Sequence, residues 1–334
     1  MIKEGETSPV FKIMGEGREG VDMNADSCKL EYCIKRGMEL SGWKEKYPRR
    51  KSGSKVRGLG GAIAMQGSGI AAVDMASALI KLNDRGFFNL IIGATDIGTG
   101  SDTILSQIAA EAIGVPVCKV QVHSSDTDLT PFDTGAYASS TTYVTGNAVY
   151  AAGLKMKKLI EKAAAEKFNI KPEEVSMKDG ILYAQDGRSV SLEDISSELY
   201  YSNNQKQLMV CESFSGEISP PPYMAGFAEV EVDLETGKVD VINYTAVVDC
   251  GTTINPNLAR VQVEGAIEQG IGMTLYERVD RSDCGRLISN NFVQYGIPTR
   301  KETCNMNVEF AESFDPTGPY GAKSVGEIGI DTVP

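Results

Sequence analysis

Histidine is almost missing from this chain: His123 is the only one in 334 residues. Histidine-built metal sites and serine–histidine triads are thereby nearly excluded, since both need clustered imidazole nitrogens. The seven cysteines, at 28, 33, 118, 211, 250, 284 and 304, contain no C-x-x-C pair. Zinc and iron–sulfur frameworks are therefore not expected, and scattered thiols suit a reducing, cytoplasmic setting. Long apolar runs are also lacking, and the opening MIKEGETSPVFKIM has no apolar signal-peptide core, so neither a membrane span nor export is expected. Positive charge is scarce: 33 Lys and Arg stand against 45 Asp and Glu, a net charge of −12. That disfavours nucleic acid and anionic membranes as partners. It does not exclude an anion pocket built from backbone N–H groups. Any metal used in catalysis would have to be held by something other than side chains.

What is present is an ordinary globular balance, with 23% charged and 42% hydrophobic residues, in a chain long enough for two compact lobes. The expected fold class is α+β (mixed α/β), two lobes of mixed sheet with packed helices. Residues 1–56 read as a polar lead-in, one helix over 29–47 and a linker. Residues 57–215 read as an α/β lobe and residues 216–334 as a second one. In the first lobe, strands are expected at 58–66, 70–80, 87–92 and 118–123, with helices at 101–113 and 147–167. His123 follows a strand-like KVQV run and reads as structural. The triple proline at 220–222 marks the boundary between lobes. Beyond it, FAEVEVDLETGKVDVINYTAVV alternates about an E-T-G-K turn and predicts a β-hairpin. Asn255 and Pro256 then supply the cap and first position of a helix running to about Tyr276.

Four segments could carry chemistry. Gly98-Thr99-Gly100 lies between a strand and a helix, where glycines admit a ligand and first-turn N–H groups attract an anion. The spacing is not G-x-G-x-x-G, and a tight structural turn is an equal reading. Ala138-Ser139-Ser140-Thr141 sits in a loop of small hydroxyl residues that could hold a flat polar ligand or simply cap a helix. Gln262, Gly265, Ala266, Gln269 and Gly270 share one helix face, suited to close backbone packing or to a ligand held by amides. Glu327, between Gly326 and Ile328 and near Val325, is poorly solvated by its neighbours. Such a carboxylate suits a general base, with an ordinary turn residue as the alternative.

These segments, taken in order, resemble the C-terminal part of the molybdenum-binding subunit of the xanthine dehydrogenase and aldehyde oxidase family. The match includes IKEGE near the start, RGLGGAIAMQGSGI at 57–70 and GATDIGTGSDT at 93–103. It continues through TPFDTGAYASSTTYVTGNAV at 130–149, FAEVEVDLETGKV, VVDCGTTINPNLARVQVEGAIEQGIG at 247–272 and GAKSVGE at 321–327. Within the family the chain looks most like the split medium subunit of nicotinate dehydrogenase. The resemblance implies a molybdopterin cofactor, in the cytosine dinucleotide form, whose molybdenum is held by the pterin dithiolene and by no protein side chain. It implies that Glu327 is the base acting at the Mo–OH group, and that Gln262 hydrogen-bonds the cofactor near the metal. Gly98, Thr99 and Gly100 would line the pterin, and Ala138, Ser139, Ser140 and Thr141 would wrap its phosphate side. Ile70 would lie beside the substrate, where relatives can carry an aromatic.

The implied reaction is hydroxylation of a nicotinate- or purine-like N-heteroaromatic with water-derived oxygen. The implied partners are a large molybdopterin subunit carrying the other half of the site, an iron–sulfur subunit with [2Fe–2S] clusters and an FAD subunit. Departures from the family are the missing N-terminal part of the usual subunit and Ser140 in place of a frequent arginine. The end at Pro334 also falls short of an expected terminal helix. A xanthine dehydrogenase subunit, and a non-catalytic or truncated molybdopterin-binding chain, are the alternatives.

Overall fold

The structure is a computed structural model, and it describes residues 3–6, 25–203 and 205–333. Most of the expected polar lead-in and the last residue, Pro334, lie outside the described residues. The chain first forms α1 (Leu30–Ser41) and α2 (Trp43–Lys46), then β1 (Arg50–Ser52), β2 (Lys55–Met65), β3 (Met75–Leu82) and β4 (Phe88–Ile92). Next come α3 (Ser101–Ile113), β5 (Val120–Ser124), α4 (Val144–Phe168), β6 (Val175–Lys178), β7 (Ile181–Ala184), β8 (Ser189–Ser191) and α5 (Leu192–Tyr201). The rest is β9 (Met209–Ser215), β10 (Tyr223–Asp233), β11 (Val239–Asp249), α6 (Pro256–Leu275), α7 (Phe292–Tyr295) and β12 (Asn305–Phe310). The architecture is mixed α/β with three sheets, as the composition and pattern lead one to expect.

The sheets run β1-β2-β10-β11-β12, β5-β4-β3-β9 and β6-β7-β8. The hairpin forms as the alternation predicts, with Tyr223 opposite Asp249 and Val232 opposite Val239. Its partner on the other side is β2, pairing Met65 with Tyr223 and Lys55 with Asp233. The strand expected at 58–66 thus joins the sheet of the second lobe, while β9, within residues 57–215, pairs with β3. Residues 55–65 therefore share a sheet with residues 223–249. The reason is that β2 carries exposed residues from Gly60 to Ile63 along one stretch, so its stability comes from ladder hydrogen bonds to a long neighbour, and β10 matches its length.

Other expectations are corrected by local backbone chemistry. The single helix over 29–47 is two, because Gly42 takes a left-handed conformation at φ 70° and closes α1 with N–H bonds to Glu39 and Met38 carbonyls. The strand expected at 70–80 starts only at Met75. Residues 70–74 form a turn in which the Ala72 φ is 56° and the Asp74 carboxylate accepts the Ile70 N–H at 2.7 Å. Residues 117–119 form a 3-10 turn, so the next strand starts at Val120. The long helix begins at Val144, three residues early, and ends with Asn169 in the left-handed region. The small β6-β7-β8 sheet, whose strands have only three or four residues, and α5, which buries Leu192, Ile195 and Leu199 on one face, lie outside the expected elements.

The larger core lies under the β3-β4 pair, where Ile80, Leu82, Phe88, Leu90 and Ile92 are fully buried against α3 and α4. A second core packs α6 through Val263, Ile267 and Ile271 against Met224, Ala246 and Val248 of the hairpin. Burying such side chains contributes roughly 1.5–3 kcal/mol each. These two cores bring the N-terminal ends of α3 and α6 together. Gly100 marks the contact: a Cβ there would lie 2.7 Å from Leu258 Cδ1.

Candidate functional site

Where α3 and α6 converge, a cavity of about 300 Å³ opens. Four segments wall it: the loop before α3, the loop before α4, the turn into α6 and the stretch 323–327. Of the residues singled out from sequence, Thr99, Ser139, Thr141, Gln262 and Glu327 line it together. Gly98 stands just behind, its carbonyl accepting the Gln262 amide at 3.4 Å. Gly100 packs under Leu258 instead of facing the space. Ser140 is buried and donates to the Gly135 carbonyl at 2.7 Å. The Ala138 carbonyl accepts the Gly69 N–H at 2.9 Å. Ile70 is not among the lining residues; it lies in the turn closed by Asp74.

The Gly98–Gly100 loop differs from its sequence reading in one respect. Its N–H groups are already used, because one Asp96 oxygen accepts Gly98 at 2.9 Å and Gly100 at 3.1 Å, and the other accepts Asp102 at 3.4 Å. Burial would raise this carboxyl, yet the N–H groups of Gly98, Gly100, Asp102 and Thr99 hold it below the usual range. The chain supplies its own anion there, so an incoming ligand meets side chains and the loop's outer edge. The polar-helix-face reading also divides. Gly270 is packing, with a virtual Cβ 2.7 Å from Val333, and Ala266 is buried, whereas Gln262 faces the cavity and Gly265 has open space above it.

Glu327 is held by Ser139. The serine hydroxyl accepts the Glu327 N–H at 3.1 Å and donates to its Oε2 at 3.0 Å. Ala138 and Ser139 reach this position with φ of 49° and 54°, two successive non-glycine residues in the left-handed region, at a cost of roughly 1–2 kcal/mol each. The strain places a hydroxyl at the carboxylate. A second carboxyl in the same turn, Asp331, is raised by burial and then by the Glu327 charge.

Several lining residues had not been expected from sequence: Thr252, Thr253, Lys323, Ser101 and the helix cap Asn255. Lys323 is fully buried and pairs with Asp249, also fully buried, at 2.9 Å. The Asp249 carboxylate further accepts the Lys29 N–H at 2.7 Å, the Gly251 N–H at 3.2 Å and the Ser313 hydroxyl. Cys250 beside it is no thiolate, as burial and then the Asp249 charge push it up to about 12. The lysine of the GAKSVGE run is visible in the sequence; its partner 74 positions away along the chain is not.

The lining is therefore one carboxylate, one committed lysine, and an array of hydroxyls and amides over isoleucine, leucine and valine side chains. The Ser101 hydroxyl is buried at the first turn of α3 with no hydrogen-bond partner among the described residues. An orphaned buried hydroxyl favours a polar ligand over an empty apolar cleft. This donor set fits a large neutral-to-polar heterocyclic cofactor, and it offers a bound metal no thiolate or imidazole.

Comparison with known proteins agrees with that chemistry. Residues 35–304 match the molybdopterin cofactor-binding domain family. The chain is 34% identical over 333 residues to the probable hypoxanthine oxidase XdhD of Escherichia coli (strain K12), covering 99% of this chain and 34% of that protein. It is 32% identical over 311 residues to the putative xanthine dehydrogenase molybdenum-binding subunit XdhA of the same organism, covering 90% and 41%. Among solved structures, quinoline 2-oxidoreductase from Pseudomonas putida 86 superposes with a TM-score of 0.85 at 22% identity, covering 93% of this chain and 42% of that one. Reconstituted CO dehydrogenase from Oligotropha carboxidovorans gives 0.83 at 21% identity, covering 96% and 42%. This chain belongs to the molybdopterin cofactor-binding domain family, and it spans well under half the length of the relatives it matches.

Proposed function

We propose that this chain forms the cofactor-binding half of a molybdenum hydroxylase acting on a nicotinate- or purine-like N-heteroaromatic. The observation that carries the reading is the convergence of Gln262, Thr99, Ser139, Thr141 and Glu327 on one cavity. Gln262 and the hydroxyls of Thr99, Thr141, Thr252 and Thr253 would hold the molybdopterin by hydrogen bonds, and the apolar side chains of Ile97, Ile104 and Leu258 would exclude water from it. When bound, the cofactor supplies the two-electron redox chemistry of the hydroxylation. Glu327 takes the proton released by the water-derived nucleophile, with Ser139 fixing the carboxylate.

The rest of the site would come from protein outside this sequence, in a split arrangement like nicotinate dehydrogenase, with iron–sulfur and FAD subunits carrying electrons away. The cytosine dinucleotide form of the cofactor belongs to the same reading. A purine as substrate is favoured by the 34% identity to a probable hypoxanthine oxidase. The test is Glu327→Gln in the complex purified from its native host. Turnover should fall by about two orders of magnitude or more with the molybdenum content unchanged, and retained turnover would reject the assignment.

A further inference from the structure

Glu327 has a second hydrogen-bond donor, which nothing in the sequence reading marked. Gln66 stands one residue past the end of β2, with its backbone N–H on the Pro222 carbonyl at 3.3 Å. Its side-chain Nε2 reaches Glu327 Oε2 at 2.6 Å, across 261 positions of sequence. Because an ionised carboxylate only accepts, the amide must present its nitrogen there. The Gln66 Oε1 is then left buried with no hydrogen-bond partner among the described residues. A buried orphan acceptor costs about 1–3 kcal/mol, so an apolar side chain of similar shape would serve the fold as well or better. Among the described residues, the one polar interaction of this side chain is with Glu327.

The surrounding hydroxyls make the contact rigid. Ser324 donates through its hydroxyl to the Gly67 carbonyl at 2.8 Å, and its N–H meets the Ser68 hydroxyl at 2.9 Å. Ser68 in turn donates to the Pro220 carbonyl at 2.6 Å. The end of β2 and the 324–327 stretch are thus tied at two points on one side of the Gln66–Glu327 bond. Gln66 and Ser139 both donate to Oε2, and Oε1 of Glu327 takes no hydrogen bond from the described residues. One oxygen is clamped and the other is free to work.

We propose that Gln66 is a positioning residue for Glu327, clamping one carboxylate oxygen so that the other faces the cavity. The role rests on Glu327 being the base, although the clamp itself does not. Few charges compete with it. The segments 97–104 and 136–142, and α6, bring no charged side chain to the lining, and Lys323 is committed to Asp249. Cys250 is protonated, and Asp331, raised by burial and then by the Glu327 charge, is a further nearby carboxyl.

The test compares wild type, Gln66→Met and Gln66→Glu in the complex purified from its native host. Infrared difference spectra against pH follow the carboxylic C=O band of Glu327, assigned by its loss in Glu327→Gln. Removing a donor to the ionised form moves the midpoint up, by about one unit for Gln66→Met, and further for Gln66→Glu, where two carboxyls share a site. The acid limb of kcat/KM should move with it, while thermal stability, molybdenum content and KM stay near wild type. An unmoved midpoint in both variants overturns the proposal. So does an unfolded Gln66→Met together with an unmoved midpoint in Gln66→Glu, which would make Gln66 a structural tie. Full turnover in Glu327→Gln would instead overturn the proposed function and leave the infrared result to decide the clamp.

Discussion

Replacing Lys323 by methionine tests how the walls of the cavity are held. The ammonium group and the Asp249 carboxylate are both fully buried at 2.9 Å, so Lys323→Met strands a charge in the interior while nearly conserving volume. Breaking a buried pair from one side costs about 3–5 kcal/mol. Asp249 retains the N–H groups of Lys29 and Gly251 and the Ser313 hydroxyl, which places the cost near the lower end, about 3 kcal/mol. That is roughly a hundredfold change in the folding equilibrium. Asp249→Asn added to Lys323→Met removes the stranded charge, and the double variant should recover about 1–2 kcal/mol relative to Lys323→Met alone.

The pair joins the stretch before α6 to the stretch before Glu327, reinforcing the bonds from Lys323 N–H to the Cys250 carbonyl at 2.8 Å and from Thr252 N–H to the Gly321 carbonyl at 2.9 Å. The assay is a double-mutant cycle by urea unfolding of the purified full chain. A cost under about 1 kcal/mol for Lys323→Met, or strict additivity of the two substitutions, would refute the reasoning.

Two further outcomes follow from the packing and charge. Gly100→Ala meets both a φ of 75° and a Leu258 contact at 2.7 Å, so it should cost about 2 kcal/mol or more in urea unfolding; a cost below 0.5 kcal/mol would show that α3 and α6 are loosely packed. Glu229 should destabilise the chain in acid. Burial alone would raise it, but hydrogen bonds from Lys46, Asn243 and Arg50 pull it down to about 2. Its folded value is thus below its unfolded one, so its contribution is full above pH 4.5 and lost as pH falls toward 2. With screening of the half-exposed cations the contribution is about 2 kcal/mol. Glu229→Gln should flatten that part of the stability–pH curve, and an unchanged acid slope would contradict the assignment.

Much of the fold was legible where one local signal sufficed. The β10-β11 hairpin follows from strict alternation, and α6 starts where Asn255 accepts the Leu258 N–H at 3.2 Å with Pro256 next. Local signals failed where two competed. Gly42 interrupts an otherwise helical run, and the Asp74 side chain outbids strand formation over residues 70–74 because its carboxylate satisfies Ile70. The β6-β7-β8 sheet has strands of three or four residues, too short to show a period.

For the site, the sequence by itself determined the ingredients: a glycine-flanked carboxylate at Glu327, hydroxyl-rich loops, an amide-bearing helix, and nearly no imidazole. Their order along the chain carried the family resemblance. Only the tertiary structure decided which of these meet. It left Ile70 out of the lining, buried Lys323 on Asp249 and brought Gln66 onto Glu327. The Lys323–Asp249 and Gln66–Glu327 contacts join residues 74 and 261 positions apart, and they exist because two hydrophobic cores fix where α3, α6 and the end of β2 stand, a constraint that no local pattern encodes.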